Sequence, residues 1–391
     1  MARLPKHVTR VDTGDGVRYE VRIHGSRSDG SRFHHKRRFK TPAEATAWHS
    51  KITSELAEGT HTAPSDLTVK QAIETWLKSK SARVKQTTSE AYTAALQPVV
   101  DRYGDVKVQK ITKHDVEELV TELRTGSGDR GVWARTSINP MLARWRKVWA
   151  DLHAEGVLAR NVVALVEPLR KPSGAPAMKT DDSLSDSEVE KLIAAHTGSD
   201  DHHAQRRELF LHLALLGLRR AEIAGLRWSA IDLDADKPTL SVRETRVSTA
   251  AGVIAQEDAK TAASSRELPI PLHVIPIVRR VRKVQLEMRL AAGRLWEGES
   301  DGYLMSHDLG RALSPRTLNY WWTRSLDFAG IPRRRLHASR HTAASVLERR
   351  GASPAVIAAW LGHADGGVLA MRTYVHVNAT GLAVAAKLLS S

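Results

Sequence analysis

The chain has 391 residues, of which 41% are hydrophobic, so it is long enough for two or three domains with packed cores and too apolar for wholesale disorder. Its formal net charge of +15 favours a polyanionic partner, and nucleic acid is the commonest one. The absence of cysteine excludes disulfides, cysteine-based zinc sites and a cysteine nucleophile. No signal-like segment or run of about 18 apolar residues occurs, so we expect no membrane contact and a cytoplasmic, nucleoid-associated protein.

Residues 1–60 are expected to form a small separate module that binds DNA. Apolar and charged residues alternate over 17–23, which is the period of a strand, and a turn at 28–30 allows a second strand to return over 32–40. Thr41 and Pro42 then mark the start of a helix that is predicted to end at Gly59. The returning strand carries the basic residues that we expect to contact DNA, which are Arg32, Lys36, Arg37, Arg38 and Lys40. The alternative is a solvated strand face without a ligand.

The pattern over 68–170 is helical and follows a polar linker at 60–67. Apolar residues share one helical face over 69–77, over 116–123 and over 141–152. We interpret the tryptophans of the third helix, Trp145 and Trp149, as core residues and not as a platform for stacked bases. A second linker, rich in proline and glycine, spans 170–182.

The remaining residues, 180–391, are predicted to form a mostly α-helical domain with a small sheet. Ser185 and Glu188 have the spacing of a helix capping box, and an apolar helix follows over 206–216. Three short strands are predicted, over 238–247, 252–256 and 266–270, before helices resume. The fold class expected for the whole chain is therefore multidomain and mainly α with small β-sheets.

Several polar residues interrupt the apolar stretches of this last domain. Taken singly, each has a structural explanation, such as a helix cap or a tyrosine at the rim of the core. Together they are the tools of phosphodiester transesterification without a metal: Arg219, Lys260, His337, Arg340, His363 and Tyr374. Arginines can bind the non-bridging oxygens, a tyrosine hydroxyl can attack phosphorus, and a lysine can protonate the departing oxygen. A magnesium nuclease would need clustered carboxylates, which are absent, so we expect no metal and no cofactor.

At these positions the sequence resembles the tyrosine recombinases, and within them the phage-type integrases. The resemblance covers nearly the whole chain and is strongest over 183–377. It is carried by Gly217-Leu218-Arg219 with Glu222, by Lys260-Thr261 with Ser264, Ser265 and Arg266, by His337, Arg340 and His341, by Leu361-Gly362-His363, and by Tyr374 with His376 and Val377.

The resemblance implies a site-specific recombinase that integrates or excises a mobile element through a 3′-phosphotyrosyl intermediate at Tyr374. Glu222 would support Arg219, and His341 would be structural. The implied parts are an arm-type DNA-binding module at 1–60, a core-site DNA-binding domain at 68–170 and the catalytic domain at 180–391. The implied partners are double-stranded attachment sites, a homotetramer in the synaptic complex, a host DNA-bending protein and an excisionase. The apolar tail over 378–391 would dock on a neighbouring protomer.

Three alternatives are kept. A type IB-like topoisomerase would share the chemistry but would not exchange strands, and a catalytically idle DNA-binding regulator would share only the scaffold. Zinc binding by His34-His35 or His202-His203 is a weak hypothesis, because adjacent histidines rarely converge on one ion without further spaced ligands.

Either Arg219 or the neighbouring Arg220 could be the first arginine of the site. The position of Arg219 in the Gly-Leu-Arg motif favours Arg219.

Overall fold

The elements fall into an N-terminal unit, Met1–Ala175, and a C-terminal unit, Pro176–Ser391. The computed structural model describes residues 4–14, 16–26, 32–57, 62–171, 183–257 and 265–362. Within these residues the chain is mainly α-helical with small antiparallel sheets, as the sequence predicted. No described helix has both the length and the apolar character needed to cross a bilayer.

The N-terminal unit begins with an antiparallel sheet covered on one face by a helix. Its elements are β1 (Val8–Thr13), β2 (Gly16–Ser26), β3 (Arg32–Phe39) and α1 (Pro42–Ala57). The predicted strands and helix are confirmed, whereas β1 was not predicted. In β1 only Val8 is fully buried, so the strand lacks the alternation that identifies a half-buried strand. Val8, Val21, Ile23, Ala45 and Ile52 form the core of this sheet and helix.

A helical bundle completes the N-terminal unit. Its helices are α2 (Val69–Ser81), α3 (Gln86–Tyr103), α4 (Lys113–Thr125) and α5 (Arg135–Ala154). Capping boxes start α2 at Thr68 and α4 at Thr112, which satisfies backbone donors at each helix start. Trp145 and Trp149 are completely buried, so their interpretation as core residues is confirmed.

The C-terminal unit contains helices that surround small sheets. The helices are α6 (Asp186–Ala194), α7 (His202–Leu215), α8 (Arg220–Gly225), α9 (Ile275–Ala292), α10 (Pro315–Phe328), α11 (His337–Arg349) and α12 (Pro354–Leu361). The strands are β4 (Ile231–Asp232), β5 (Thr239–Val242), β6 (Glu244–Thr249), β7 (Gly252–Glu257) and β8 (Arg266–Pro269). Ser185 caps α6 with Glu188 in the expected capping box.

The prediction of one strand over 238–247 is wrong, because these residues form two strands in different sheets. β5 pairs with β4 and β8, whereas β6 forms a hairpin with β7. Arg243 belongs to neither strand; the buried residues of β5 are Leu240, Ser241 and Val242, whereas those of β6 are Thr245 and Thr249. The pairing partner changes at Arg243: Val242 pairs with Arg266 of β8, whereas Glu244 pairs with Glu257 of β7.

Candidate active site

Arg219 lies at the junction between α7 and α8 and is anchored through both its backbone and its guanidinium group. Its backbone N–H donates to Glu222 Oε2 at 2.7 Å, and its Nη1 donates to Glu222 Oε1 at 2.6 Å. Its Nη2 donates to the Gly362 carbonyl at 3.0 Å. The Arg219 side chain remains 40% exposed, so the guanidinium is fixed by protein on one side and accessible on the other.

Gly217 forms the sharp turn that leads from α7 to Arg219. Its φ of +88° lies in the left-handed region, which residues with a Cβ rarely adopt. A Cβ at this position would lie 2.6 Å from Leu361 Cδ2 and 3.1 Å from Ala343 Cβ. Glycine is therefore needed for α11 and α12 to approach the chain directly behind Arg219.

We expect Gly217→Ala to destabilise the C-terminal unit by about 2–4 kcal/mol, through backbone strain and overpacking together. Gly351→Ala is the matched control, because Gly351 has a φ of +86° but no atom within 4 Å of the position of a Cβ. Strain alone should cost the control about 1–2 kcal/mol. Thermal denaturation compares the two, and an equal loss of Tm in both variants would show that crowding behind Arg219 is unimportant.

Arg340 enters the site from α11, one helical turn after His337. Its side chain is almost completely buried, and its Nη1 donates to the Gly217 carbonyl at 2.8 Å. Its Nη2 donates to the Leu361 carbonyl. Arg340 therefore links the turn before Arg219 to the end of α12.

The last carbonyls of α12 accept hydrogen bonds from three different arginines. Arg266 Nε donates to the Trp360 carbonyl at 2.8 Å, Arg340 to the Leu361 carbonyl and Arg219 to the Gly362 carbonyl. Carbonyls in the last turn of a helix lack intrahelical partners and lie at the negative end of its dipole. We call this arrangement the α12 clamp; it collects guanidinium groups from α11, from β8 and from the start of α8.

Glu222 is the buried counterion of this cluster, with 1% of its side chain exposed. Arg266 Nη1 and Nη2 donate to its two oxygens at 3.0 Å each, in addition to the bonds from Arg219. Burial raises the pKa of Glu222, but the hydrogen bonds and charges of Arg266 and Arg219 outweigh it and hold the pKa below its usual value. The resemblance implied that Glu222 supports Arg219, and the two side chains are in direct contact here.

Arg219, His337 and Arg340 line one cleft. The other lining residues are Leu218, Arg220, Ala221, Asn319, Thr323, Arg334, Arg335 and Leu336. Five of the lining residues are arginines and none of those described is a carboxylate, so the cleft suits an anion such as a phosphodiester. Sequence reasoning did not single out Arg334 and Arg335, although three consecutive arginines at 333–335, separated from His337 by Leu336 alone, were a signal in the sequence.

The His337 ring has cationic and aromatic neighbours. It lies edge-on to the His341 ring, with centroids 4.9 Å apart. Although part of the side chain is exposed, desolvation of the ring lowers the pKa of His337, and the charges of His341, Arg340 and Arg219 lower it further. A lowered pKa favours the neutral ring, in which one nitrogen can accept a proton.

Several residues of the predicted site lie outside the described residues. They are Lys260, Thr261, Ser264, His363, Tyr374, His376, Val377 and the tail over 378–391.

The basic residues of β3 lie on two faces of the N-terminal sheet. The register pairs Arg38 with Glu20 and Arg37 with the buried Val21. Because side chains alternate along a strand, Lys36 and Arg38 share the face of Glu20, whereas Arg37 starts from the face that packs against α1. The single basic stripe predicted from the sequence is therefore divided. Arg32 is described by its backbone alone, and Lys40 is exposed just after the end of β3.

Glu20 partly neutralises the open face of this sheet. It accepts hydrogen bonds from Arg38 Nε at 2.9 Å and from Arg22 Nε at 2.8 Å, and Lys36 Nζ lies 3.2 Å away. The hydrogen bond from Arg38, with those from Arg22 and Lys36, outweighs desolvation and lowers the pKa of Glu20 to about 2. Three cations surround one carboxylate, so the face keeps a net positive charge.

The histidine pair at the start of α7 meets one carboxylate. His202 Nε2 and His203 Nε2 lie 3.7 and 3.6 Å from the two oxygens of Asp308. Arg206 donates to both Asp308 and His203 Nδ1, so a cation already compensates the carboxylate. The ligand atoms of His202, His203 and Asp308 lie within 4.8 Å of one another, which is close enough to share a metal ion. Arg206 accounts for the group as an ion-pair cluster that ties the turn around Asp308 to α7.

Comparison with known proteins gives matches over both units. Residues 182–380 match the model of the phage integrase family, and residues 68–124 match the phage integrase N-terminal SAM-like domain. The chain is 27% identical over 361 residues to a tyrosine recombinase XerC-like protein of Caldanaerobacter subterraneus subsp. tengcongensis, and the match covers 86% of each chain.

Solved structures share the fold at low sequence identity. The integrase of transposon Tn1549, in complex with transposon right end DNA, has a TM-score of 0.65 at 17% identity, over 83% of this chain and 100% of that one. A lambda integrase tetramer bound to a Holliday junction has a TM-score of 0.52 at 18% identity, over 96% of both chains.

Proposed function

The chain belongs to the phage integrase family and is a site-specific recombinase that cuts and rejoins DNA strands; we propose that Arg219, Arg340 and His337 bind the scissile phosphate while Tyr374 attacks it. The observation that carries this assignment is the cleft in which the two arginines and the histidine meet. The comparisons give no support to a topoisomerase or to an idle regulator. Relaxation of supercoiled plasmid without attachment sites, in the absence of recombination, would favour the topoisomerase.

The proposed reaction is a pair of transesterifications. Tyr374 Oη forms a bond to phosphorus as the bond to the 5′ oxygen breaks, which leaves a 3′-phosphotyrosyl linkage and a free 5′ hydroxyl. His337 accepts the tyrosine proton, and Lys260 donates a proton to the departing oxygen. A 5′ hydroxyl from the partner strand then attacks the phosphotyrosine and restores the DNA backbone. The number of phosphodiester bonds is conserved, so the proposed reaction needs no nucleotide as an energy source.

The arginines stabilise the charge that develops on the phosphate. The α12 clamp and Glu222 hold the guanidinium groups of Arg219 and Arg340 before DNA arrives, so little reorganisation is needed during the reaction. His363 follows Gly362 directly in the chain, and we assign it to the same phosphate. Formation of a covalent protein–DNA adduct on a nicked substrate tests the assignment, and an adduct at a residue other than Tyr374 would refute it.

We expect the cleavage rate to fall at acid pH with a midpoint below the ordinary histidine value of 6.5, because protonation removes the acceptor nitrogen of His337 and its pKa is lowered. The rate is measured at subsaturating DNA, from about pH 5 to 8, so that the profile reports the free protein. His337→Gln should be slower and should lack this acid limb. An unchanged limb in His337→Gln would assign the titration to another group.

We propose that attachment-site DNA is bound by more than one part of the chain. Residues 68–170 and 180–391 would bind the core site, and four protomers would form the synaptic complex, a proposal supported by the tetrameric lambda integrase on a Holliday junction. The apolar tail over 378–391 would dock on the neighbouring protomer and select which Tyr374 is presented. A host DNA-bending protein and an excisionase would complete the assembly.

Residues 1–60 are proposed to bind a second, arm-type sequence through the positive open face that carries Lys36 and Arg38. We expect deletion of 1–60 to leave core-site cleavage intact but to abolish integration between full attachment sites. Arm-site affinity of the full chain should fall by about ten-fold or more between 50 and 200 mM salt, because phosphate contacts release counterions. Normal integration by the truncated protein would contradict the arm-binding role.

A further inference from the structure

Arg266, the first residue of β8, holds the carboxylate that supports Arg219. Its Nη1 and Nη2 bind both oxygens of Glu222 at 3.0 Å, and its Nε binds the Trp360 carbonyl at 2.8 Å. We propose that Arg266 is a positioning residue of the recombinase, which acts through Glu222 to keep the Arg219 guanidinium directed at the scissile phosphate. The inference rests on the proposed role of Arg219.

The charge balance of Glu222 explains why Arg219 needs this support. Glu222 and Arg266 are both buried, with 1% and 7% of their side chains exposed, and a buried carboxylate needs close cationic compensation. The bidentate pair with Arg266 supplies it, so Arg219 contributes a single side-chain N–H to Glu222. Without Arg266, Arg219 is the remaining cation at hydrogen-bond distance from Glu222 among the described residues. We expect it then to turn its guanidinium fork toward Glu222 and away from the cleft.

The contact with Trp360 makes the role specific to arginine. The Trp360 carbonyl precedes the two that hold Arg340 and Arg219, so Arg266 fixes Glu222 relative to the α12 clamp. A guanidinium reaches three acceptors in one plane, whereas a lysine ammonium supplies the charge as a point without this fork. Substitution of Arg266 by lysine or by glutamine can therefore separate the compensation of the Glu222 charge from the geometry of the guanidinium contacts.

The test compares single-turnover formation of the covalent adduct on a nicked substrate at saturating DNA, together with the DNA Kd. Arg266→Gln should slow adduct formation by about 100-fold, as expected for a displaced catalytic group, with a change in Kd below about three-fold. Arg266→Lys should recover about ten-fold of this loss, since it restores charge but not the fork. If Arg266→Gln does not fold, the comparison of Arg266→Lys with the wild type still shows a rate defect without a Kd defect.

A double-variant cycle shows whether Arg266 acts through Arg219. Because both substitutions remove the same interaction, Arg219→Ala/Arg266→Gln should be within about two-fold of Arg219→Ala alone. If the fold-losses in adduct formation of the two single variants multiplied in the double variant, the proposal would be overturned. Arg280→Gln is the matched control, because Arg280 also pairs with a buried carboxylate, Glu208, in the C-terminal unit. If Arg280→Gln slowed adduct formation as much as Arg266→Gln does, Arg266 would contribute only to the stability of the C-terminal unit. Absence of an adduct with the wild-type protein would instead refute the proposed function.

Discussion

Tyr374→Phe is expected to abolish covalent attachment of the protein to DNA. The substitution keeps the ring and its packing but removes the oxygen that forms the bond to phosphorus, so adduct formation should fall by about 10⁵-fold or more. The substrate is a nicked duplex from which the short 5′-hydroxyl strand dissociates after cleavage, so that the adduct accumulates. A denaturing gel separates adduct from free protein, and binding of the intact duplex should be unchanged.

A second tyrosine provides the control for this experiment. Tyr320 lies on α10 with 63% of its surface exposed, so Tyr320→Phe removes a hydroxyl from the same unit without disturbing its core. Wild type and Tyr320→Phe should both form the adduct, including in EDTA, because the proposed reaction uses no metal. An adduct with Tyr374→Phe, or its loss in chelator with the wild type, would be incompatible with the mechanism.

Arg219→Ala is expected to slow cleavage by about 10³-fold while weakening DNA binding only a few-fold, because the guanidinium matters most when charge develops in the transition state. Single-turnover rates at saturating DNA and a separate Kd measurement distinguish the two effects. Arg219 is a cleaner test than Arg340. Arg340 is buried and binds the Gly217 and Leu361 carbonyls, so its removal also leaves buried acceptors unsatisfied.

Arg220 is the natural comparison for Arg219. It is the next residue, carries the same charge and lines the same cleft. Arg219, however, is the residue that donates hydrogen bonds to Glu222 and to the Gly362 carbonyl. We expect Arg220→Ala to weaken DNA binding more than it slows the bound-state reaction. If Arg220→Ala slowed cleavage of bound DNA more than Arg219→Ala does, the catalytic role would belong to Arg220.

Only the tertiary structure decided how the site is assembled. Arg266 binds Glu222, 44 residues away in the chain, and Trp360, 94 residues away. Arg219 reaches Gly362 across 143 residues. Such pairs depend on how the chain folds back, so no spacing in the sequence indicates that three arginines meet at one helix end. For the same reason the division of the β3 cations between two faces required the pairing of β3 with β2.

The sequence by itself determined the features that arise within a few residues of each other. The capping boxes at Ser185 and Thr68 and the left-handed glycine after α12 follow from interactions three or four residues apart. The order of the motifs that contain Arg219, His337 and Arg340 was sufficient for the recombinase family, which the comparison confirmed. The joining of β5 and β6 into one predicted strand marks the limit of such reasoning. The local pattern of a strand shows that side chains alternate between two faces. Which strands it pairs with, and which face is buried, depends on contacts between residues distant in the chain.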